Sequence, residues 1–76
     1  MNAATMGMQT AHYLIPLLSE PRQAIDLSNT INAFKGVNTV HIDLATRHVS
    51  VTFDSDYTSA GALGDFICRT GYPIEE

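Results

Sequence analysis

A few side chains in this sequence are capable of chemistry, and they lie far apart along it. Cys68 is the only cysteine. A free thiol is a metal ligand, a redox handle or a site for an inter-chain disulfide, and on a helix surface it is also an ordinary residue with no role. His41 and Asp43 sit two apart in an alternating run, so their side chains point the same way. With a third donor they make a divalent-metal site, and without one they are a solvated strand face; Cys68 and His41 are separate candidates for a metal ligand. His48 follows on the same hairpin. His12 lies near Met6 and Met8, and imidazole with thioether is a donor set that suits copper. Two methionines near a chain start are equally a plain tail.

No catalytic constellation accompanies these residues. The sequence has no Ser/His/Asp set, no phosphate-cradling glycine loop and no paired carboxylates. Its 76 residues leave little room for a cleft. A non-enzyme is expected.

The elements that position these residues follow from periodicity. Residues 1–11 show no period and are expected to be a flexible tail, with the folded domain spanning 12–76. The apolar run from His12 to Leu18 suits a buried strand, although Pro16 removes a ladder donor there. Ser19 is expected to cap a helix with Pro21 in its first turn. Ala24, Leu27, Ile31 and Phe34 form one helical face, and Gly36 suits a left-handed cap. Val40, Ile42 and Leu44, then Val49, Val51 and Phe53, alternate with polar residues as a hairpin with one buried face. Pairing Leu44 with Val49 puts Ile42 opposite Val51 and Val40 opposite Phe53. Ser59 opens a second helix with Ala60, Leu63, Phe66 and Ile67 on one stripe, and Gly71 ends it. Tyr72 to Ile74 then supply a short last strand. The order βαββαβ predicts an α+β, ferredoxin-like sandwich: a four-stranded antiparallel sheet with two helices on one face.

Composition narrows the partners. The net charge is −4, with four Lys and Arg against eight Asp and Glu. Nucleic acid demands a basic stripe, which is missing. The apolar run Tyr13 to Leu18 is too short to cross a bilayer, and no secretion signal is visible at the start. One unpaired cysteine fits a reducing cytoplasm. If Leu14 and Leu18 face the helices, Tyr13, Ile15 and Leu17 lie on the open face of the sheet. Three large apolar side chains there predict a cover: the segment around Met6 to Ala11, a protein partner, or a second copy of the chain.

Gly36-Val37, Val40 to Leu44, Val49 to Asp54, Leu63, Ile67 and Gly71-Tyr72 match in order and spacing the heavy-metal-associated, copper-chaperone-like domains, which the chain resembles from His12 to Ile74. The resemblance implies a metal loop between the first strand and helix. Counting back from Gly36-Val37 puts Leu18 at the loop methionine of such domains, Glu20 at the first cysteine and Gln23 at the second. A carboxylate and an amide are hard donors and do not replace a thiolate pair for Cu(I). The resemblance therefore implies a degenerate domain of metal homeostasis or transport. It would be related to copper chaperones or to the N-terminal domain of a metal-transporting P-type ATPase. It would act by protein contact, with no cofactor expected. The alternative is a metal-binding protein with a non-standard site built from Cys68 or histidines, possibly across a dimer.

Overall fold

The computed structural model describes residues 7–75. It has five regular elements: strand β1 (Met8–Leu14), helix α1 (Pro21–Asn32), strands β2 (Val37–Asp43) and β3 (His48–Asp54), and helix α2 (Ala60–Arg69). The sheet is antiparallel in the order β1-β3-β2. The α+β architecture is as expected, but among the described residues the sheet has three strands, not four. The last segment contributes one bridge, Leu14 to Glu75, where Glu75 N–H donates to the Leu14 carbonyl at 2.7 Å.

Each helix is anchored by apolar residues at helical spacing. Leu27 and Ile31 of α1 and Leu63 and Ile67 of α2 are buried, together with Val49, Val51 and Phe53 of β3. Both helices therefore cover the same face of the sheet. Phe34 and Phe66 close the gap beside them, with ring centroids 4.5 Å apart. Ser59 caps α2 as expected, accepting from Ala62 N–H at 3.1 Å. Gly71 ends it at φ 101. Gly36 also has positive φ, at 97, but α1 stops earlier with Ala33 as its C-cap. Gly36 instead sits in the turn into β2, where an added Cβ would lie 2.8 Å from Tyr57 Cβ.

The first strand departs most from expectation. It starts at Met8, inside the segment expected as a tail, and ends at Leu14 rather than Leu18. Residues 1–6, including Met6, lie outside the described residues, so the Met6 part of a copper-binding tail lies there too. The shift re-aims the strand. Ala11, Tyr13 and Ile15 are core residues, Tyr13 8% exposed and Ile15 fully buried. The expected open-face patch of Tyr13, Ile15 and Leu17 is therefore overturned. Leu17 is exposed, but it lies in the turn after β1. Leu18 is buried as expected, whereas Leu14 is only half-buried and pairs with His48.

The hairpin register also differs. Asp43 pairs with His48, Ile42 with Val49 and Val40 with Val51, two residues from the expected pairing. Because side chains alternate with period two, a slip of two keeps every apolar residue on the core face. An irregularity between Val37 and Thr39 lets Val37 pair with Phe53 and pack on the core as well.

Candidate functional site

The segment joining β1 to α1 is held from two sides. Ile15 N–H donates to the Arg47 carbonyl at 2.9 Å, and Arg47 Nε donates to the Leu18 carbonyl at 3.1 Å. The turn of the β2–β3 hairpin thus braces this loop with a guanidinium. Sequence reasoning gave Arg47 no such role, because the contact depends on how two distant turns meet. Leu18 plugs into the core, while Ser19, Glu20 and Pro21 are exposed.

The N-cap of α1 is Glu20, not Ser19. Gln23, three residues on, turns its amide oxygen back to the loop. Oε1 accepts from Ser19 N–H at 2.8 Å and from Glu20 N–H at 3.0 Å. This is the reciprocal half of a capping box, which satisfies backbone donors that the helix itself cannot use. Pro21 at the helix start has no donor to lose. The loop therefore holds a carboxylate, an engaged amide and a neighbouring guanidinium. That donor set does not fit Cu(I), which needs soft donors. Replacing Gln23 with Ala is expected to cost about 1 kcal/mol through the lost cap, read as a lower urea midpoint. A midpoint unchanged from the native chain would mean the amide is not capping in solution.

The other candidate residues are not gathered at this loop. Cys68 is exposed on α2. It lines an open groove of about 650 Å³ with His12, Tyr13, Ala60, Gly61, Gly64, Asp65, Ile74 and Glu75. Tyr13 crosses beneath this groove and donates its hydroxyl to the Ala60 carbonyl at 2.7 Å; burial pushes its phenol pKa up. His41 and Asp43 are exposed on β2, away from the helices. Among the described residues no three His, Cys, Asp or Glu groups are placed, as they stand, to share one metal ion. No helix among them is long and apolar enough to cross a membrane.

Solved structures of heavy-metal-associated domains superpose on this sandwich. Oxidized MerP from Ralstonia metallidurans CH34 matches with a TM-score of 0.81 at 29% identity, covering 90% of this chain and 94% of that one. A CopZ metallochaperone matches at 0.82 and 19% identity, over 88% and 100%. The N-terminal domain of a potential copper-translocating P-type ATPase from Bacillus subtilis, in its Cu(I)-loaded state, matches at 0.80 and 19%, over 90% and 85%. These are heavy-metal-associated domains of MerP, CopZ and CopA type, so the resemblance read from the sequence holds for the fold. No protein-family model matches the chain, and no curated protein matches it in sequence.

Proposed function

We propose that this chain is a non-catalytic module of metal homeostasis or transport, built on the heavy-metal-associated fold, whose loop has exchanged thiolate coordination for a structural cap. The observation that carries this reading is the engagement of Gln23. At the position that the resemblance assigns to a thiolate, its amide oxygen is bonded to two backbone donors. A module without the loop thiolates works by contact with protein. The similar domains include a metallochaperone and a domain of a P-type ATPase, and both settings supply protein neighbours. Leu17, 55% exposed, lines an apolar groove with Pro16, Pro73 and Ile74 beside the loop. With a net charge of −4 on the chain, the partner that fits has an apolar patch with a basic rim. A second copy of the chain carries the same negative charge and fits less well.

Titration with Cu(I) against a competing chelator tests the loop. The native chain is expected to show no tight stoichiometric binding that survives Cys68→Ser. Tight one-to-one binding in the Cys68→Ser protein would overturn the reading.

A further inference from the structure

All three histidines of the chain, His12, His41 and His48, lie on strands. The register brings them to one place. His12 of β1 and His41 of β2 pair with the same residue, Ser50 of β3, from its two sides. His48 lies two residues from Ser50 along β3, in the next row between Leu14 and Asp43. All three are exposed and alternate with buried residues on their strands, so they share the face that the helices leave open. We infer that this face carries a binding site for one borderline divalent cation, of the Zn(II), Ni(II) or Cu(II) kind, held by His12, His41 and His48 above Ser50.

The spacing suits the task. Adjacent strands lie about 4.8 Å apart, so the His12 and His41 backbones flank Ser50 at about 10 Å from each other, with His48 about 7 Å along the middle strand. Imidazole is the side chain most often used for these metals. His12 Nδ1 lies 3.1 Å from Ser50 Oγ; in the tautomer that donates from Nδ1, this bond orients the ring and leaves Nε2 to coordinate, as an outer hydrogen bond does for a coordinating histidine. His41 and His48 complete the site by rotamer changes, which exposed side chains make readily. The electrostatics agree. No Lys or Arg lies on any of the three strands, and Asp43 shares a row with His48. This site uses no residue of the β1–α1 loop, so it stands independently of the proposed loss of thiolate coordination there.

The test is equilibrium dialysis of the full chain with Zn(II) and with Ni(II), alongside NMR of the imidazole resonances. One ion per chain is expected, with all three imidazoles shifting together. His12→Asn, His41→Asn and His48→Asn are each expected to weaken binding by on the order of tenfold or more. Cys68→Ser and Glu20→Ala are expected to leave it unchanged. His→Gln at each position repeats the test should an Asn variant melt early. No saturable binding, binding indifferent to His41 replacement, or binding lost with Cys68 would overturn the site. None of these results bears on Cu(I) at the loop, so the two readings fail separately.

Discussion

Replacing Glu20 and Gln23 together with cysteine, in a Cys68→Ser background, is expected to create tight one-to-one Cu(I) binding and to destabilise the metal-free protein at the same time. The gain follows from softness. Two thiolates on one loop offer Cu(I) the donors that a carboxylate and an amide do not. The start of α1 also favours them, because a helix N-terminus lowers a thiol pKa and stabilises the thiolate. The loss follows from Gln23. A cysteine there has no carbonyl oxygen to accept from Ser19 and Glu20 N–H, and loss of such a cap costs about 0.5–2 kcal/mol. Bound metal then reverses the sign. At a free Cu(I) concentration a thousandfold above Kd, binding adds about 4 kcal/mol to stability. Melting curves with and without Cu(I) read both effects. Cu(I) held no more tightly than by the native chain would remove Glu20 and Gln23 from the thiolate positions. A metal-free variant as stable as the native chain would remove the structural role of Gln23.

The sequence alone was enough for the helices, because Leu27, Ile31, Leu63 and Ile67 repeat at a period that only a helix buries on one side. Ser59 was legible for a related reason: its hydroxyl acts within three residues of itself. The strands were harder. A hairpin slipped by two buries the same residues, so the pattern from Val40 to Phe53 fits either register. The turn decides instead. Asp43 Oδ1 accepts from Ala45 N–H at 3.0 Å, and Arg47 adopts φ 60, a local preference that hydrophobic alternation does not report. In β1 the apolar run of residues 13–18 outweighed the weaker alternation of Ala11, Tyr13 and Ile15, because alanine adds little to a hydrophobic signal. The row of His12, Ser50 and His41 was hidden for the same reason, since it exists only once both registers are known.

Ile15→Lys is expected to unfold the domain, whereas Leu17→Lys is expected to leave its stability within about 0.5 kcal/mol of the native value. A strand running from His12 to Leu18 would put both residues on one open face and make the two replacements alike. The structure separates them. Ile15 is fully buried, while Leu17 is 55% exposed in the turn. Removing the Ile15 side chain to Ala already costs about 2–5 kcal/mol as transfer energy and cavity. Lysine adds the penalty of an ammonium with no acceptor among Leu18, Val49 and the other apolar core residues. A core of this size leaves only about 3–5 kcal/mol of net stability, so the sum exceeds what the fold has to lose. Far-ultraviolet circular dichroism at 25 °C should show Ile15→Lys without its native signal. Ile15→Ala gives a measurable intermediate, a lowered but cooperative melt. A folded Ile15→Lys protein with a native-like melt would mean that the chain leaving β1 presents Ile15 to solvent, and the burial of Ile15 in the core would then be wrong.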